Sequence, residues 1–68
     1  MENIVEGLHR EMDRVREIIK EYELLPKNSG MFAATVMRNS IKNAEKQIAV
    51  GDTVEMMKAY LDLEGYEL

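Results

Sequence analysis

The sequence predicts an all-α fold, a helical hairpin followed by a short third helix, made oligomeric by self-association. Three observations predict it. Apolar residues recur at alternating steps of four and three in two long segments, a turn cluster holding the single proline separates those segments, and Gly51-Asp52 sets a helix stop beside a helix start.

Helix 1 is expected over about residues 2–25. Its seam runs Met1, Val5, Leu8, Met12, Val15, Ile19 and Tyr22, with Ile4, Ile18 and Leu25 widening the stripe beyond a two-stranded seam. Glu2 and Glu6 suit the positive end of the helix dipole, and Glu6 with Arg10 forms an i,i+4 pair. Pro26 restricts Leu25 to extended backbone and ends the helix. Residues 26–30 then form a turn in which Asn28 or Ser29 can cap helix 2.

Helix 2 is expected over about 31–50, with Ala34, Met37, Ile41, Ala44 and Ile48 facing helix 1 in an antiparallel hairpin. Asp52 as N-cap, with Glu55 three residues on, opens helix 3 over about 53–64. Val54, Met56, Met57, Tyr60, Leu61 and Leu63 cover more than one of its faces, so a single hairpin cannot bury them all. A domain of about 60 residues buries only around 60% of its unfolded surface, and small scaffolds of this kind need a staple. With no cysteine and one histidine, the staple expected is a homodimer or higher oligomer.

Composition narrows the function. At 46% apolar and 32% charged, the 68 residues form a single globular domain. The lack of cysteine excludes disulfides, thiol nucleophiles and thiolate metal sites, and suits a cytoplasmic home. No apolar run approaches the roughly 20 residues of a membrane span, and the first residues lack the pattern of a signal peptide. The net charge of −4 is unevenly spread: residues 1–25 carry −3, residues 26–50 carry +3 and residues 51–68 carry −4. A pI near 4.9 repels a nucleic-acid backbone at long range, so duplex binding is not expected.

Catalytic patterns are weak. His9 has Asp13 four residues on, but Ser29 and Ser40 lack the strand-turn-helix setting of a nucleophile, and His9 reads as a surface residue. No spacing matches a metal loop, and neither an enzyme activity nor a cofactor is expected.

Two binding features remain. Lys27, Asn28, Ser29, Gly30, Met31 and Phe32 place backbone N–H groups, a cation and a ring at the start of helix 2, where anions bind; the same residues also make an ordinary hairpin turn. Arg38, Asn39, Lys42, Asn43 and Lys46 form a polar face with Glu45 as its only acid. Asn inside a helix costs about half a kcal/mol against Ala, so two of them require a reason. Either this face meets a ligand bearing phosphates and bases, or it meets the acidic faces of helices 1 and 3.

The run Pro26-Lys27-Asn28-Ser29-Gly30-Met31-Phe32-Ala33-Ala34-Thr35-Val36-Met37, with Ile41-Lys42-Asn43-Ala44-Glu45-Lys46, Gly51-Asp52 and Met56-Met57-Lys58-Ala59-Tyr60, resembles small helical accessory proteins encoded by phages and prophages. The resemblance covers about half the chain and implies a host-directed, anti-defence role, by blocking a defence enzyme or soaking up a nucleotide signal in the host cytoplasm. The function expected first is thus a non-enzymatic oligomeric sponge for a small anionic ligand such as a cyclic nucleotide. Lys27 and the backbone of Ser29, Gly30 and Met31 would hold phosphate, Arg38 and Lys42 would add charge, and Asn39, Phe32 or Tyr22 would read or stack the base. The alternative is an inhibitor that masks a host protein through Glu11, Glu17, Glu21, Met56 and Tyr60.

Overall fold

The computed structural model describes residues 2–67; Met1, the expected head of the helix 1 seam, lies outside them. Three α-helices follow in order, α1 (Ile4–Glu23), α2 (Met31–Val50) and α3 (Thr53–Glu64), with a 3-10 turn at Pro26–Asn28 and no strand among the described residues.

α1 is shorter than expected at both ends, and each end has a local cause. Asn3 is its N-cap: the side-chain oxygen accepts the Glu6 N–H at 2.9 Å while Nδ2 donates to Glu6 Oε1 at 3.0 Å. At the far end the Leu24 and Leu25 N–H groups reach back only three residues, to Glu21 and Tyr22, so the last turn tightens and stops before Pro26 forces it to. Leu25 is extended, as a residue before proline must be. The cap expected for α2 is also corrected. Ser29 Oγ donates back to the Pro26 carbonyl at 2.6 Å, and Gly30 occupies the N-cap with no side-chain bond. At the other junction Gly51 ends α2 in the left-handed conformation at φ 80°, and Asp52 accepts the Glu55 N–H at 3.1 Å to start α3.

The core seams of the three helices meet along one axis. Leu8, Met12 and Val15 of α1, Met37 of α2 and Leu63 of α3 are fully buried, each contributing roughly 1.5–3 kcal/mol through removal from water. Ala34, Ala44 and Ala59 are buried between them and let the helices approach closely. The expected all-α hairpin with a short third helix is present, and each helix packs against both others, so the three close into a bundle with α2 antiparallel to its neighbours. Gly7 sets the α1–α3 approach, since a Cβ there would stand 3.2 Å from the Tyr60 ring.

The bundle is elongated, 39 × 22 × 16 Å, with a radius of gyration of 12.5 Å; a sphere-like domain of this length would have about 11 Å. Its surface keeps Phe32, Val36 and Val50 of α2 and Val54, Met57 and Leu61 of α3 exposed. Met56, one of the residues expected to mask a partner protein, is buried in the core.

Candidate functional site: the mouth between α1 and α2

The mouth is built by the end of α1, the tight turn and the start of α2. Backbone packs on backbone here. A Cβ at residue 30 would lie 2.2 Å from the Tyr22 carbonyl oxygen, so glycine is required by close approach. Lys27 and Asn28 are both left-handed, at φ 55° and 62°. Asn tolerates this conformation through local hydrogen bonding, whereas Lys is strained in it. With Gly30 offering no side chain, the N–H groups that open α2 lack a capping partner, and the helix dipole makes this end attractive to anions.

A cleft of about 200 Å³ lies at this end. Five of the ten residues expected to bind ligand line it: Tyr22, Asn28, Gly30, Met31 and Arg38. Glu23 lines it too and forms an ion pair with Arg38, so the guanidinium is neutralised in place. Lys42 lies in an adjoining open groove of about 440 Å³ between α1 and α2, with Arg16, Lys20 and Arg38 opposed by Glu23 and Glu45. There Arg16 is held by Asp13 at 2.8 Å and Glu45 at 3.6 Å, and Lys20 by Glu17 at 3.0 Å. Among the described residues Lys42 has no ion-pair partner.

The other expected residues do not line the cleft. Lys27 and Ser29 belong to the adjacent turn, Phe32 is 83% exposed, and Asn39 lies on the outward side of α2 beside Asn43. The basic face thus divides. Arg38 is quenched by an acid of α1, as internal charge complementarity requires, while Lys42 is left for solvent or a ligand.

The residues expected to mask a protein are rearranged more strongly. Glu11 does not belong to an outer acidic face: it is 4% exposed and receives Arg10 at 3.2 Å and Arg14 at 3.1 Å. Tyr60 is half-buried, and its hydroxyl accepts from Arg10 Nη2 at 3.0 Å, with the guanidinium 6.0 Å from the ring centre. Hydrogen bonds to Glu2 and then Tyr60 raise the Arg10 pKa above its ordinary value. Glu17 and Glu21 remain exposed.

Arg14 is the residue whose role the spacing alone did not reveal. Its Nη1 and Nη2 donate to the carbonyls of Tyr66 and Leu63 at 2.7 and 2.8 Å, capping the end of α3. The available signal was the Glu11-x-x-Arg14 pair flanking the apolar seam, which places an ionic pair at the bundle's edge rather than on its outer face.

Chemistry is sparse elsewhere. His9 is exposed and Asp13 is engaged by Arg16 at 2.8 Å. Among the described residues no three His, Asp or Glu side chains group as metal ligands, and no helix is long and apolar enough to cross a membrane. No protein-family model, curated protein or solved structure matches the chain.

Proposed function

We propose that the chain is a non-enzymatic, self-associating binding protein that takes up a small anionic ligand at the α1–α2 mouth, a nucleotide second messenger being the fullest form of that ligand. The observation that carries this reading is the convergence of Tyr22, Asn28, Met31 and Arg38 on a cleft at the uncapped start of α2. Glu23 is a gate rather than a barrier. Its pair with Arg38 is about half exposed on both sides, and such pairs contribute only about 0–1 kcal/mol, so a phosphate can replace the carboxylate. The cleft holds about 200 Å³, whereas pockets for drug-sized ligands run roughly 300–1,000 Å³. One protomer therefore suits a phosphate group, and the rest of a larger ligand would lie outside the cleft.

Calorimetry with inorganic phosphate and with linear and cyclic nucleotides tests this. Binding that Arg38→Ala weakens about tenfold, the worth of one charge-assisted bond, supports it. No binding by any of these, or binding that Arg38→Ala leaves unchanged, overturns it.

A second reading, masking of a partner protein, is favoured by one observation. Val54, Met57 and Leu61 are 63%, 49% and 62% exposed at helical spacing on the outer side of α3. Leu61→Glu would then abolish the activity of the chain on its host, while Arg38→Ala would leave it intact.

A further inference from the structure

Asn39 and Asn43 are both exposed inside α2, and their positions fall in a series. Phe32, Val36, Asn39, Asn43, Lys46 and Val50 advance by steps of 4, 3, 4, 3 and 4, and every one is exposed. They form a second heptad seam on α2, distinct from the core seam of Ala34, Met37, Ile41 and Ala44. Three of the six, Phe32, Val36 and Val50, are exposed apolar residues, and Asn within such a seam sets the register of a helix pair at a cost in stability. The inner seam has its partners in α1 and α3.

We propose that the outer seam of α2 pairs with the same seam of a second copy, antiparallel, about a two-fold axis beside Ile41. The proposal rests on the self-association in the reading above and identifies its surface. The occupant is fixed by the order of residues. In an antiparallel pair centred at residue 41, Phe32 meets the partner's Val50, Val36 meets the partner's Lys46, and Asn39 meets the partner's Asn43. A two-fold interface demands this self-complementarity, and a foreign helix has no reason to match it.

Register and direction follow from the polar residues. Amides paired across the axis satisfy each other's donors and acceptors. A slip of one heptad sets Asn39 against Val36 and Asn43 against Phe32, leaving Asn39 desolvated without a partner and Asn43 with only the bond it accepts from Gln47 at 3.1 Å. A parallel pair would face Lys46 with its own copy. In the antiparallel pair its stem lies along Val36 and its ammonium reaches water. The two copies of Lys42 flank the axis on one side, and because the outer seam lies across α2 from the mouth, this pairing leaves each anion cleft open. With six seam residues a side, well short of the 20–30 of a standard interface, the expected association is weak, about micromolar.

The chain has no cysteine, so introduced thiols report the register. Asn39→Cys mixed with Asn43→Cys under mild oxidation, at about 100 µM to populate a micromolar dimer, is expected to give the 39–43 dimer in several-fold excess over 39–39 and 43–43. Val36→Cys with Lys46→Cys is expected to do the same. A 39–43 yield no more than twice that of either homodimer, the ratio of random pairing, overturns the pairing. So does a dimer that cross-links through Met57→Cys or Leu61→Cys and not through 39 and 43, while leaving self-association standing. Sedimentation of the unaltered chain as a monomer at that concentration overturns both.

Discussion

Glu11 Oε1 accepts from Arg14 Nε at 3.1 Å, and the carboxylate is nearly buried while the guanidinium reaches on to the carbonyls of Leu63 in α3 and Tyr66 just beyond it. The pair is therefore a tie between the first and third helices rather than surface decoration. Glu11→Ala is expected to destabilise the fold by about 2 kcal/mol, because it leaves Arg14 without its orienting acceptor near the bundle's edge. Glu17→Ala, which removes an exposed pair with Lys20, is expected to stay within about 0.5 kcal/mol. Urea denaturation of the two variants checks the contrast. Equal effects would reduce Glu11 to a surface acid.

Two glycines separate steric from conformational demand. Gly30→Ala must move the Tyr22 carbonyl, only 2.2 Å from the new Cβ, and overpacking of this kind costs about 1–3 kcal/mol. Gly51 meets nothing within 4 Å, but its φ of 80° penalises any Cβ, at about 1–2 kcal/mol for the left-handed conformation. Adding Gly30→Ala should also abolish anion binding, since it displaces the cleft's floor, whereas Gly51→Ala should only lower the thermal midpoint. Paired melts and titrations distinguish them.

The fold was legible because its determinants are local. The 4–3 spacing of Leu8, Met12 and Val15, the left-handed stop at Gly51 and the cap at Asp52 each act over a few residues, and each occurs as the sequence predicts. The third helix's place was harder. α3 packs on both long helices, and on α1 it is received by Arg14 and Gly7; neither a distant carbonyl partner nor a close aromatic contact leaves a trace in periodicity. The start of α2 was misread for a related reason: Asn28 and Ser29 have capping chemistry, but the turn directs Ser29 Oγ to Pro26 instead. At the candidate site the turn and Arg38 converge as their order along the hairpin implies, while Asn39 and Phe32 fall on the other side of α2. Residue type marked them as polar and aromatic, and only helical phase assigns them to an outward seam.

Neutralising Glu23 isolates the electrostatic part of the anion reading. Glu23→Gln removes the carboxylate paired with Arg38 without changing volume. Because exposed pairs contribute little, stability should change by less than about 0.5 kcal/mol. Affinity for inorganic phosphate should rise several-fold, since the anion no longer displaces an acid, and the gain should shrink at high salt as screening takes over. Calorimetry at two ionic strengths reads both effects. Unchanged affinity in Glu23→Gln would separate Arg38 from the ligand.

Lys27 is the position where stability and binding should part. At φ 55° and ψ 36° its backbone is left-handed, and such strain costs roughly 1–2 kcal/mol in a residue with a Cβ. Glycine relieves that strain but adds freedom to the unfolded chain, which returns about 0.4–1 kcal/mol. Lys27→Gly is thus expected to be neutral or stabilising by up to about 1 kcal/mol. It also removes a cation beside the uncapped start of α2, so phosphate affinity should fall about three- to tenfold if the turn holds the anion. A lysine kept in a strained turn for its charge gives a variant that melts higher and binds worse. A lysine there for no such reason gives one that melts higher and binds the same, and a thermal melt beside a phosphate titration tells the two apart.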